Sequence, residues 1–507
     1  MWNPSLFSNV IRKSRVWYFW LLVFALFGCS EQTSKDQIRF GLTTDPVTLD
    51  PRYATDAVSD RINRLIYTRL VDFDENFRPI PMLARWERIS DRHYRFVLGS
   101  QYREFHDGTH LTSNDVRATY EAVLDPATAS PHRGSLDMIN WITTPDPETI
   151  DFHLNRADPL FPGRLTMGIM PAHLLELGHP FGHHPVGSGP LKLLGWPQSG
   201  NLKLQRVKDH QHVEFRTVND PTVRILKLIR GEIDLFQGDI PQEMLDWLEK
   251  QPEVVVLRGK GNVFSYLGFN LQDPVTGQLE VRQAIAYAID RDAIIRYIFK
   301  GSARKANAIL PPEHWAGDPE LTGYRYNPAT AEKLLLRLGY DRAHPLKITF
   351  KTSNNPFRIR LATVIQSQLK QVGIDMEIQG YDWGTFYGDI KAGHFQMYSL
   401  SWVGLKLPDI FRYVFHSASV PPTGANRGRY TDPVTDRLIE MAEAELQPGR
   451  QAALYKKIQQ RLLGQLPYVP LWYEDNLLLK RKELQGYTLA SDGNYDGLLT
   501  TKKKGND

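Results

Sequence analysis

Apolar residues recur along this chain in two rhythms that change places. Over residues 38–42, 94–98, 149–154 and 213–218 they alternate or run on with period two, which predicts strands. Ile62, Leu65, Ile66 and Leu70 recur at helical spacing instead. A helix is marked after Asp220-Pro221 and stops at Gly231, with a strand over 233–236 behind it. Thr112 with Asp115 three residues on forms the signature of a capping box.

Residues 266–270 mark a change of pattern. They are followed by apolar positions Val281, Ala284, Ile285, Ala288 and Ile289, which predict one helix over 281–298 closed by Gly301. Beyond it the helices carry their own punctuation. Asn327-Pro328 and Asp432-Pro433 supply caps with proline at the first position, and Gly339 and Gly373 supply stops. Strands are expected at 348–350 and 374–378, and a last helix over 450–463. The extended apolar run 468–479 then reads as a return crossing, paired at 468–472 with the crossing at 266–270. Strands alternating with helices on both sides of a crossover predict an α/β protein of two lobes with central sheets.

The first residues stand apart from this pattern. Arg12, Lys13 and Arg15 precede an apolar run over 16–27, too short for the roughly 20 residues of a comfortable membrane span, so residues 1–28 read as a signal peptide. Leu26-Phe27-Gly28-Cys29 resembles the lipobox of bacterial lipoproteins, with Cys29 as the lipidated residue and 29–37 as a tether. Cys29 is the one cysteine of the 507 residues, so no disulfide is expected. The expected location is outside the cytoplasm, in the periplasm, held to a membrane by lipid.

Charge narrows the partners. A net charge of +4 over this length, with no basic run beyond Lys502-Lys503-Lys504, gives no footprint for nucleic acid. Motifs for catalysis or metal fail on spacing. Gly187-Ser188-Gly189 lacks the flanking glycines of a nucleophile elbow, because Val186 and Pro190 stand there. His179, His183 and His184 have no acidic partner at metal-ligand spacing, and residues 491–496 lack the closing glutamate of a calcium loop. No metal, cofactor or catalytic residue is expected. The 11 Trp, 22 Tyr and 23 Phe exceed any one structural need, and Trp402 and Trp383 stand beside glycine or small residues, as in a ligand cleft between lobes.

In order from Leu49 to Asp436, the chain carries Leu49-Asp50-Pro51, Phe105-His106-Asp107-Gly108, Val186-Gly187-Ser188-Gly189-Pro190, Gly231-Glu232-Ile233-Asp234, Phe269-Asn270, Val281-Arg282-Gln283-Ala284 and Tyr430-Thr431-Asp432-Pro433. In these motifs it resembles the peptide/nickel-binding class (family 5) of bacterial extracellular solute-binding proteins. The resemblance implies a two-lobed periplasmic-binding-protein fold with an enlarged first lobe and a cleft between lobes. Lobe I is expected over 38–265 with an inserted subdomain and lobe II over 266–473, with 474–507 returning to lobe I.

It also implies a monomer that captures a peptide or peptide-like solute and delivers it to an inner-membrane ABC permease with its ATPases. Peptide-binding relatives hold the ligand as an added strand. Carried over by position, that role falls to Thr55, Asp56 and Ala57 and to Ser401, Trp402 and Val403. In those relatives an aspartate two residues past the second segment pairs with the peptide's α-ammonium. Here that position is Leu405, which implies that this anchor is lost. Two alternatives stand beside this reading: an envelope enzyme acting on peptidoglycan or glycan, and a binding or signalling module on the same fold.

Overall fold

The structure, a computed structural model, describes residues 37–197, 200–238 and 240–504, so Cys29 and the apolar leader lie outside the described residues. The folded unit begins at Ile38. Its backbone is an 11-stranded sheet. At one end Leu346–Ser353 lies between Ile374–Tyr381 and Met397–Trp402, all parallel. At the other end Ile38–Leu42 lies parallel to both His212–Thr217 and Leu235–Gln237, with Leu202–Arg206 and Leu191–Gly195 continuing to the edge. Two long antiparallel strands, Val254–Phe269 and Tyr468–Arg481, join the two ends. A second sheet of four antiparallel strands, Ala84–Ser90, His93–Leu98, Thr149–Leu154 and Ile139–Thr143, builds a separate layer in the N-terminal half.

The long strands are buried on both faces, and side chains alternate between cores as the pleat requires. Tyr266 and Tyr468 enter one apolar cluster while Leu267 and Val469 enter its neighbour on the opposite face. Farther along, Leu477 and Leu479 feed one N-terminal cluster and Leu478 another. Tyr266, Leu267 and Gly268 pair with Pro470, Val469 and Tyr468, so the segments expected to cross lie side by side. The ladder itself breaks earlier, with a register shift between Gly259 and Val263 opposite Asn476 and Glu474. The local cause is Gly261, whose added Cβ would stand 2.2 Å from the Glu474 carbonyl oxygen. Only glycine lets the strands approach so closely there.

Most marked helices form where their caps place them. Asp220, Asn327 and Asp432 accept hydrogen bonds from Val223, Thr330 and Thr435, opening Pro221–Ile229, Pro328–Arg337 and Pro433–Ala444. The helix expected over 281–298 is instead two, Leu279–Ala288 and Arg291–Tyr297. Asp290 is the reason, since its carboxylate accepts the Ala293 N–H and starts the second helix. Helix Pro356–Gln371 begins earlier than its periodicity suggests, because Asn355 caps it through the Phe357 and Arg358 amides. Trp383, beside Gly384, opens a helix of its own, Trp383–Ala392, capped by Asp382.

The Val186–Pro190 motif serves packing. A Cβ on Gly187 would lie 2.1 Å from the Ile66 carbonyl oxygen, and one on Gly189 2.5 Å from the Ile66 carbonyl carbon. Its two glycines let this loop lie against the end of helix Ala57–Ile66, where Gly189 N–H donates to Ile66 O at 2.8 Å.

Candidate functional site: a charged cavity beside helix Ala57–Ile66

The Leu49-Asp50-Pro51 turn leads into helix Ala57–Ile66, whose apolar stripe of Val58, Ile62, Leu65 and Ile66 is buried. Its other side carries Asn63 and Arg64 to a cavity of about 170 Å³. Ala54, Arg69, Arg164 and Lys406 complete the parts of the wall that matter here. Arg164 ends the short turn Phe161–Arg164, and Lys406 lies in the loop after strand Met397–Trp402. The wall thus draws on both ends of the large sheet.

Each cation in the wall already faces a carboxylate. Arg64 reaches Asp72 at 2.7 Å and Asp496 at 2.8 Å, and Arg69 shares Asp72 at 2.8 Å. Arg164 bridges Asp158 at 2.6 Å and Asp409 at 2.8 Å, and Lys406 meets Asp492 at 2.9 Å. Burial opposes ionisation of Asp72, but Arg69 and Arg64 outweigh it and hold its carboxyl well below the usual carboxylate range. Burial likewise opposes charge on Arg164, and Asp158 and Asp409 reverse that effect. For Arg69 burial wins: with Arg64 beside it, its guanidinium falls below its ordinary value.

One polar side chain in the wall stands apart. Asn63 is 5% exposed, and neither its Oδ1 nor its Nδ2 has a hydrogen-bond partner among the described residues. Arg69 Nε shares that condition.

The residues expected to hold ligand flank this cavity without lining it. The wall takes Ala54, one position before Thr55, and Lys406, one after Leu405. Thr55 and Ala57 are exposed. The Asp56 side chain caps the helix, accepting the Ser59 N–H at 2.8 Å. Ser401 turns toward the long strands, where its hydroxyl lies 2.7 Å from that of Ser265 and Ser265 lies 2.7 Å from Glu474 Oε1. Trp402 packs with the Arg427 guanidinium 4.9 Å from its ring, and Val403 is 57% exposed. Leu405 is buried in an apolar cluster, and its carbonyl accepts from Asn262 Nδ2 at 3.1 Å. Asp409, the carboxylate nearest to Leu405 in the sequence that follows it, is engaged by Arg164.

Sequence reasoning missed Asn63, Arg64, Arg69, Arg164 and Lys406, whose spacing forms no local motif. Residues 491–496, which open with a turn at 491–492, supply Asp492 and Asp496 to the ion pairs. Arg282 and Arg291, assigned to structure, each donate to three backbone carbonyls. Among the described residues no group of three or more His, Cys, Asp or Glu is placed to hold a metal ion. His179 Nε2 lies 2.7 Å from the His184 carbonyl, and the His183 ring packs against Trp196.

Comparison with known proteins identifies the fold and the family. The chain is 26% identical over 496 residues to the glutathione-binding protein GsiB of Shigella dysenteriae, covering 94% of this chain and 96% of GsiB. NikZ from Campylobacter jejuni, solved in complex with Ni(L-His), superposes with a TM-score of 0.77 at 25% identity, covering 93% of this chain and 100% of NikZ. DppA from Helicobacter pylori, solved with the peptide STSA, gives 0.74 at 27% identity, covering 92% and 98%. The fold is the two-lobed α/β fold of periplasmic binding proteins. The model of the bacterial extracellular solute-binding proteins, family 5 (middle region), matches residues 78–419, and the chain belongs to that family.

Proposed function

We propose that this protein is the substrate-binding lipoprotein of an ABC importer. It captures a peptide or peptide-like solute outside the cytoplasmic membrane and delivers it to a permease. The observation that carries this reading is the polar cavity of about 170 Å³ in a family of solute-binding proteins. Its wall joins Asn63 and Arg64 to Lys406 from the far end of the sheet. A site built from both ends opens and closes as they move, which suits a carrier. Relatives that bind glutathione and a tetrapeptide support an amide-bearing ligand.

In this reading the lobes are 38–265 and 266–473, with 474–507 returning to the first, and Thr55–Ala57 and Ser401–Leu405 form the cleft's rims. Lipid on Cys29 holds the mature protein to the membrane. The test is thermal unfolding of the mature protein with and without a pool of di- to pentapeptides. A peptide at 100 times its Kd stabilises the folded state by about 2.7 kcal/mol, and no rise in Tm with any pool refutes the peptide reading. Labelled fatty acid incorporated into wild type and absent from Cys29→Ala supports the anchor, and equal labelling removes it.

A further inference from the structure

We propose that Asn63 reads the main chain of one residue of the bound ligand, its Nδ2 donating to that residue's carbonyl and its Oδ1 accepting that residue's N–H; this rests on the peptide reading above. A buried side-chain amide normally has partners, and one left without them costs free energy in the ligand-free protein. Asn63 is 5% exposed, lines the cavity, and leaves both its donor and its acceptor unpaired.

Charge in the wall narrows what pairs with it. Four cations, Arg64, Arg69, Arg164 and Lys406, face five carboxylates, Asp72, Asp496, Asp158, Asp409 and Asp492. Four against five leaves the network at minus one, and Asp60 in the same wall adds a further acid. Each of these cations already meets a carboxylate among the described residues, so a ligand anion would compete with five protein carboxylates for them. The group that satisfies Asn63 is therefore neutral and offers an acceptor and a donor together. The N–H and C=O of one extended peptide residue have that chemistry, and Arg69 Nε–H in the same wall, without a partner among the described residues, offers a further donor to that carbonyl.

The experiment uses full-length mature protein, wild type and Asn63→Leu, with a pool of di- to pentapeptides and the same pool N-methylated at its internal peptide nitrogens. Retained peptides are quantified by mass spectrometry and unfolding is followed in parallel. Because neither polar atom of the Asn63 side chain has a partner among the described residues, Asn63→Leu is expected to keep or raise the Tm of the free protein. It is expected to retain the unmodified pool at least tenfold more weakly, while N-methylation weakens wild type at least tenfold and adds nothing in the variant. If Asn63→Leu does not fold, Asn63→Asp keeps the shape and the acceptor, loses the donor, and is expected to show the same tenfold loss.

Equal retention by wild type and variant overturns the role of Asn63 and leaves the peptide reading standing, as does an equal N-methylation penalty in both. A lower Tm in the free variant with unchanged retention assigns Asn63 to structure and overturns the proposal. Wild type that retains no peptide at all overturns the peptide reading itself and this inference with it.

Discussion

His314 gives the protein an acid-sensitive contact whose size follows from its surroundings. The residue is 3% exposed, and its ring stacks on Phe77 with centroids 5.3 Å apart. Nδ1 accepts the Ala316 N–H at 3.0 Å, so the proton sits on Nε2 and is donated to the Lys406 carbonyl at 3.0 Å. Burial lowers its pKa to about 4, against an ordinary 6.5, with the Lys406 carbonyl, Glu313 and Asp74 opposing that shift and Arg78 assisting it. Phe77 belongs to the turn between strands Val71–Phe73 and Pro79–Pro81, and Trp315 N–H donates to Asn76 O in the same turn. The neutral ring therefore ties that turn to the loop that carries Lys406 into the cavity.

A folded pKa below the unfolded value means that the unfolded chain binds the proton more readily. The stabilisation is complete above about pH 6.5 and is lost as pH falls toward 4. With those two values, lowering the pH from 7 to about 5 removes roughly 2 kcal/mol. His314→Gln keeps a donor for the Lys406 carbonyl and does not titrate. Urea unfolding of both proteins at the two pH values isolates the effect, because the other groups titrate alike in both. The wild type is expected to lose about 2 kcal/mol more than the variant between the two conditions. Equal losses would show that the buried imidazole does not control this contact.

Three further outcomes follow from single sites. Gly187→Ala places a Cβ 2.1 Å from the Ile66 carbonyl oxygen, and the urea midpoint is expected to fall by the equivalent of about 1–3 kcal/mol or more. Arg282, its pKa lowered to about 10 by burial, donates to the carbonyls of Thr276, Gly277 and Gln465, so Arg282→Met is expected to cost about 3 kcal/mol in stability and leave ligand affinity unchanged. With Leu405 buried and Asp409 held by Arg164, acetylating a bound peptide's amino terminus is expected to weaken binding less than about tenfold in calorimetry. A loss beyond about a hundredfold reveals a counter-charge at that terminus and refutes the assignment.

What was legible in the chain follows from how local each signal is. Asp220-Pro221, Asn327-Pro328 and Asp432-Pro433 each fix a helix start within four residues, so those helices form where expected. A cap also explains the misreading over 281–298. The apolar spacing continues smoothly through Ile289, and only the Asp290 carboxylate on the Ala293 amide divides the run. The ladder break was signalled by Gly259 and Gly261, which are two residues apart and were not read. Motif positions led to the neighbourhood of the cavity at Ala54 and Lys406 but not into its wall. That wall joins residues near 64, 164, 406 and 492, and no pattern within a single segment records pairings made across such distances.

The break in the long strands and the loop behind the cavity are one mechanical unit. On either side of Gly259–Val263 the strands are pinned by different cores, Tyr266 and Leu267 to one pair and Leu477, Leu478 and Leu479 to another. Between these two anchorages the regular ladder is interrupted. Asn262 lies within that stretch, and its amide holds the Leu405 carbonyl. That hydrogen bond joins the interrupted stretch directly to the loop that bears Lys406. This also gives a physical reason for an apolar residue at 405. Its side chain anchors the loop in an apolar cluster while its carbonyl takes the hydrogen bond from the break, and an ionised carboxylate in that cluster would lose its hydration without a partner. Leu405 thus fixes the loop at one residue's distance from Lys406 in the cavity wall.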